Sequence, residues 1–138
     1  VLSGVLVEKS DTIEIIYPDI LFIDFIPVFS ERALEVLKIY EPATIVKYIN
    51  FIEGDGEDIK SYHIPILKEV DCLSEKTVFK HGRQIDKGFL IKENIPDISI
   101  FKIAGEIDKE KTVIRADFAE SFLKRRLKGI TLKSLEVV

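Results

Sequence analysis

Cys72, His63 and His81 are the residues of this chain whose types best suit nucleophilic or acid–base chemistry. A cysteine nucleophile needs a thiol that can ionise and a base within hydrogen-bond reach. Cys72 lies between Val70 and Leu73, a setting that predicts a small residue buried in packing. His63 falls within a strand-like alternation, and His81 precedes Gly82, where an exposed turn is expected. A hydrolase or transferase using Cys72 or His63, with a carboxylate such as Asp71, is the enzymatic alternative, and an accessory or regulatory domain of a larger protein is the other. The enzymatic reading requires Cys72 to be exposed and a histidine to stand beside it. The chain has no H-x-x-x-H or H-x-H pair and no cysteine cluster, so a zinc site would need scattered carboxylates. It also lacks a G-x-S-x-G elbow, a P-loop and a G-x-G-x-x-G fingerprint. No enzyme activity, metal or cofactor is expected.

Two groups of charges remain. Glu53, Asp55, Glu57 and Asp58 surround two glycines in a short run that is superficially like a calcium loop. The run lacks the D-x-D-x-D-G ladder and the distal bidentate glutamate, so it reads as a solvated turn. Asp55, Glu57 and Asp58 are the candidate partner-binding residues, because a projecting acidic loop steers encounter with a basic partner. The second group, Lys124, Arg125, Arg126 and Lys128, crowds the end of a predicted helix, where cations complement the dipole.

The 138 residues suffice for one domain with a sizeable core and not for two, so residues 1–138 are read as a single unit. A hydrophobic share of 46% with 32% charged residues is globular, and abundant Ile and Val favour strands. The net charge of −4 argues against nucleic acid, whose binding is carried by Lys and Arg. A lone cysteine excludes an internal disulfide and suits a reducing compartment, so a cytoplasmic location is expected. The longest apolar run, residues 20–29, is broken by Asp24 and Pro27 and is far shorter than the roughly 20 residues that span a bilayer, so no membrane segment is expected. Residues 1–10 show no secretory pattern, and the initial valine implies that an upstream segment has been removed.

The elements that must position these residues repeat. Residues 26–37 run from an apolar strand into a helix, and residues 112–127 do the same. Each helix is followed by a strand, at 44–52 and 131–137. Ser30 stands at an N-cap position, Ala33, Leu34, Leu37 and Tyr40 form one apolar stripe, and Pro42 stops the helix. The second helix is predicted over 116–128, with Phe118, Phe122 and Leu123 inward and Gly129 in the left-handed position after it. Further strands are expected at 1–7, 12–17, 21–28, 61–70, 89–91 and 98–103, with a turn at 8–11. The strand at 21–28 is apolar on both faces, and Pro65 marks 61–70 as an edge or bulge. Residues 75–88 are polar and show no clear period. The fold class is α+β: a largely antiparallel or mixed sheet with two main helices packed on one face. Such a duplicated scaffold suits the presentation of a surface.

Several segments resemble a known family. The run from Pro27 to Leu37, Pro-Val-Phe-Ser-Glu-Arg-Ala-Leu-Glu-Val-Leu, resembles the first "(I/V)-S-E-R-h-x-x-h-L" helix of a large bacterial group, once a domain of unknown function and now placed among the immunity proteins of polymorphic toxin systems. Residues 62–77 resemble its middle segment, residues 98–105 its "h-F-R-h" strand, and residues 113–123 with 129–135 its closing helix and strand. The resemblance covers residues 25–138 in the right order. It departs at 66–68, where the family has an asparagine, and at Arg115, which occupies the place of a capping serine. The resemblance implies a non-enzymatic protein that binds a cognate protein toxin and blocks it, without specifying the toxin or the oligomeric state.

Overall fold

The computed structural model describes residues 4–9, 17–53, 58–105 and 112–138, with the backbone alone at 4–9, 53 and 58. In chain order the elements are β1 (Gly4–Lys9), β2 (Ile20–Ile23), β3 (Ile26–Phe29), α1 (Glu31–Tyr40), β4 (Val46–Glu53), β5 (Asp58–Pro65), β6 (Glu69–Val70), β7 (Val78–Lys80), β8 (Gln84–Lys87), β9 (Phe89–Leu90), β10 (Ile100–Ile103), β11 (Thr112–Arg115), α2 (Ala116–Lys124) and β12 (Ile130–Val137). They build a six-stranded sheet in the order β6-β10-β11-β1-β12-β9, a four-stranded sheet in the order β2-β3-β5-β4, and the hairpin β7-β8. The protein is α+β, with mixed and antiparallel sheets.

The repeated strand–helix–strand design forms twice with one topology. β3 and β4 are both antiparallel to β5, which lies between them, so α1 joins two parallel strands with a third inserted. β11 and β12 are both antiparallel to β1, and α2 joins them in the same way. The inserted strand follows its unit in the first copy and comes from the start of the chain in the second. Each unit also carries an antiparallel strand on its outer side, β2 beside β3 and β10 beside β11.

The two units share one core. Phe29 from β3 meets Phe122 from α2 edge-on at 6.3 Å, Phe118 meets Phe122 at 4.8 Å, and Tyr40 from α1 meets Phe118 at 5.0 Å. Ala33, Val36 and Leu37 of α1 and Ile100 and Ile114 of the large sheet complete this core. The aromatic rings bury large areas, and the edge-to-face contacts of Phe122 with Phe29 and Phe118 add to the burial. The large sheet has period-two alternation, so its opposite face carries a second core: Phe101, Ile103, Val113 and Leu135 pack there with Val70, Cys72, Ile85 and Leu90. Residues 70–98, with β7-β8, therefore cover the face that the helices leave open.

A buried aspartate ties the helices to the strands. The Asp19 carboxylate accepts a hydrogen bond from Ser30 Oγ at 2.7 Å and another from the Lys128 N–H at 2.7 Å. Its main chain bonds the same two residues, accepting from the Ser30 N–H and donating to Lys128 O. Ser30 Oγ in turn accepts from the Ala33 N–H at 3.2 Å, which makes Ser30 the N-cap of α1 as expected. Arg32 donates to Arg125 O, binding the start of α1 to the end of α2.

Five expectations change. Leu123, expected inward on α2 with Phe118 and Phe122, is 64% exposed, because only Phe118, Ala119 and Phe122 turn to the core. The strand expected at 21–28 is a hairpin, β2-β3, turning at Asp24 and Phe25, both with positive φ (47° and 68°). This is the backbone of a type I′ turn, here without glycine. The strand expected at 61–70 is two, and β5 is internal; Pro65 is tolerated because it ends the strand and sits opposite Val46 in a position that needs no N–H. Glu8 and Lys9 belong to β1 and not to a turn. Finally, α2 stops at Lys124, and Arg126 (φ 54°) takes the left-handed position: its N–H donates to Leu123 O and the Leu127 N–H to Phe122 O, the pair of bonds that closes a Schellman motif. Gly129 (φ 91°) is needed three residues later, where a Cβ would lie 2.2 Å from Pro18. The expected strand at 12–17 lies outside the described residues except for Tyr17.

Candidate functional site

The candidate nucleophile is buried. Cys72 is 0% exposed in the second core, and its thiol pKa is pushed up to about 11, first by burial and then by the charge of Asp71, with a main-chain hydrogen bond opposing. At neutral pH it is a protonated thiol. His63 lies half-buried on β5 in the four-stranded sheet, opposite Tyr48, and His81 is exposed in a single 3-10 turn between β7 and β8. Among the described residues no group of three or more His, Cys, Asp or Glu side chains could hold a metal ion. The residues singled out for chemistry are thus distributed over separate parts of the fold.

Of the acidic candidates, Asp55 and Glu57 lie outside the described residues. Asp58 opens β5, paired in register with Glu53, and its side chain is also outside the described set. The basic group has a structural duty in its main chain. The Arg125 carbonyl receives Arg32, and the Lys128 N–H donates to Asp19. The corresponding start of α2 has Arg115 at the N-cap without a side-chain cap. Arg115 instead grips Asp117 through Nε (2.9 Å) and Nη2 (3.1 Å), while Asp117 Oδ1 accepts from the Phe118 N–H. The hydrogen bond from Arg115 draws the Asp117 pKa below the ordinary carboxylate value, against the opposing effect of burial.

Beside Arg115 a cavity of about 150 Å³ opens between the large sheet and residues 95–98, lined by Leu90, Ile95, Phe101, Val113 and Val137. Its size and apolar lining suit a benzene-sized group. The guanidinium at its lip is already paired with Asp117 and faces Asp97 at 3.4 Å, so it offers little to an incoming anion.

The strongest surface feature is the β4-β5 hairpin. Its register sets Tyr48 opposite His63, Asn50 opposite Ser61 and Ile52 opposite Ile59, all on one face. Tyr48 is 72% exposed, Ile52 65% and Ile59 57%. Ser61 Oγ donates to Asn50 Oδ1 at 2.8 Å, a polar rung between two apolar ones. On the opposite face the hairpin is anchored: Tyr62 is buried, its hydroxyl donates to Pro18 O at 2.8 Å, and Phe51 meets its ring edge-on at 5.4 Å. A rigid support on one side and large uncovered apolar side chains on the other are what a protein-binding face requires. The alternation of residues 44–52 gave the strand. That its outer face would stay uncovered depends on which layers pack against the sheet and could not be read locally.

No protein-family model matches the chain, and no curated protein sequence matches it. Among the described residues no helix is long and apolar enough to cross a membrane.

Proposed function

We propose that this protein is a non-enzymatic binding protein, an immunity protein that neutralises a cognate bacterial toxin in the cytoplasm by covering a functional surface of that toxin. One observation carries the reading: the exposed face of the β4-β5 hairpin, where Tyr48, Ile52 and Ile59 present apolar surface on an anchored support. Aromatic and large aliphatic side chains on a rigid element supply binding energy with little ordering cost. The family resemblance of residues 25–138 supplies the class of partner. Asp55, Glu57 and Asp58, in and beside the connection between β4 and β5, add negative charge that would speed encounter with a basic toxin.

The test is co-purification with the product of the adjacent upstream gene. A stable complex is expected, and Ile52→Asp with Ile59→Asp should abolish it while the circular dichroism spectrum stays native. Retention of the complex by that double variant would move the contact elsewhere, and absence of any complex with the wild-type chain would refute the reading.

A further inference from the structure

β4 closes one side of the four-stranded sheet, and among the described residues no strand lies against its outer edge. Free main-chain donors and acceptors on a long edge strand are a template for another strand. This edge is eight residues long, and its outward groups can be assigned. The Ile66 N–H donates to Ile45 O at 2.9 Å, in the register that next pairs Val46 with Pro65. Opposed residues that exchange such bonds alternate along an antiparallel pair. Lys47, Ile49 and Phe51 therefore turn their main-chain groups towards β5, while Tyr48, Asn50 and Ile52 turn theirs outwards.

Laid antiparallel against itself, the strand is self-complementary. With Asn50 opposite the partner's Asn50, Tyr48 meets the partner's Ile52, Ile49 meets the partner's Phe51, and Lys47 meets the partner's Glu53. Aromatic or aliphatic residues face aliphatic or aromatic ones, amide faces amide, and cation faces carboxylate, all rungs that stabilise antiparallel pairs. The three outward residues meet each other in this register, which provides about six inter-chain main-chain bonds. Slipping one strand by two residues puts Tyr48 or Ile52 opposite the partner's Asn50. It also puts a charged residue opposite Phe51 or Ile49, so charge and polarity select one register.

We propose that β4 is a homodimerisation edge, joining two copies of this chain about a two-fold axis through Asn50 into one continuous sheet. This inference rests on the hairpin register and not on the immunity reading. In the dimer the Tyr48, Ile52 and Ile59 faces of both copies lie on the same side of the joined sheet.

The experiment measures molar mass against concentration by size exclusion with light scattering, for the wild-type chain, Lys47→Glu, Glu53→Lys and the double exchange. The wild-type chain should be dimeric. Each single reversal places two like-charge rungs in the symmetric pair and should weaken association about tenfold or more. The double exchange should restore wild-type affinity, which damage to the fold cannot do. Oxidation should also cross-link Asn50→Cys to its own copy, and circular dichroism should show both single variants folded. A wild-type monomer at every concentration would overturn the proposal. So would a dimer indifferent to both single reversals, or one that the double exchange fails to restore.

Discussion

Replacing Asp19 tests the joint between the two repeat units. Its carboxylate holds two hydrogen bonds of 2.7 Å, from Ser30 Oγ and the Lys128 N–H, and its side chain is only 9% exposed. Hydrogen bonds to a charged group contribute about 1.5–3 kcal/mol each, and a buried donor left without an acceptor costs about 1–3 kcal/mol. Ser30 keeps its bond from Ala33 when Asp19 is truncated, so the two contributions do not add in full. Arg32, at 3.7 Å and half-exposed, adds little. Asp19→Ala should therefore destabilise the fold by about 3 kcal/mol. Asp19→Asn keeps the shape and one acceptor oxygen, and should cost about 1–1.5 kcal/mol. Urea unfolding followed by circular dichroism measures both, with the slope unchanged if the native state is otherwise intact. A double-mutant cycle with Ser30→Ala should give a coupling of about 1 kcal/mol or more. A loss below about 1 kcal/mol for Asp19→Ala, or equal losses for Ala and Asn, would refute the assignment of Asp19 as the tie.

Phe25→Gly should raise stability by about 0.5–1 kcal/mol, since relief of a left-handed non-glycine residue exceeds the entropy cost of glycine, and a lower unfolding midpoint would contradict it. Thr112 Oγ1 is buried without a hydrogen-bond partner among the described residues, so Thr112→Val should stabilise by about 1 kcal/mol in the same assay; destabilisation would mean that the hydroxyl has a partner. Cys72 should resist thiol reagents in the native state at pH 7 and react fully on unfolding. Its folded pKa of about 11 is raised above the ordinary thiol value, so its contribution to stability is complete below that ordinary value and is lost as pH rises towards 11. The wild-type chain should lose more stability over that alkaline interval than Cys72→Ala, and equal losses would contradict the burial argument.

What the sequence disclosed follows the range of each signal. Ser30 and the stripe Ala33, Leu34, Leu37 and Tyr40 lie within one helix; the cap formed as expected, Ala33 and Leu37 are buried, Leu34 and Tyr40 are half-buried, and Val36, which the stripe left out, is buried too. The duplicated strand–helix–strand was also legible, being two local patterns in series. The hairpin at Asp24 and Phe25 was not, because neither residue is a glycine and the apolar run continues through the turn. The insertion of β1 between β11 and β12 joins the two ends of the chain, which no local period records. Asp19 was not singled out because an isolated aspartate reads as surface; its partners Ser30 and Lys128 are distant in sequence. The candidate surface was half-visible. Tyr48 and Ile52 belonged to an expected strand, but their exposure, shared by Ile59 on the internal strand β5, follows from the layer arrangement of the fold and not from the strand's own pattern.

The central claim, that this chain protects against a toxin through the outer face of the β4-β5 hairpin, is tested most directly by cell survival. The chain is co-expressed with the product of the adjacent upstream gene, alongside a folded Ile52→Asp, Ile59→Asp variant at matched abundance. The account predicts that the neighbour is lethal alone, that the wild-type chain restores growth, and that the variant does not. A neighbour that stays lethal despite abundant folded wild-type protein, or rescue undiminished by the variant, would contradict it.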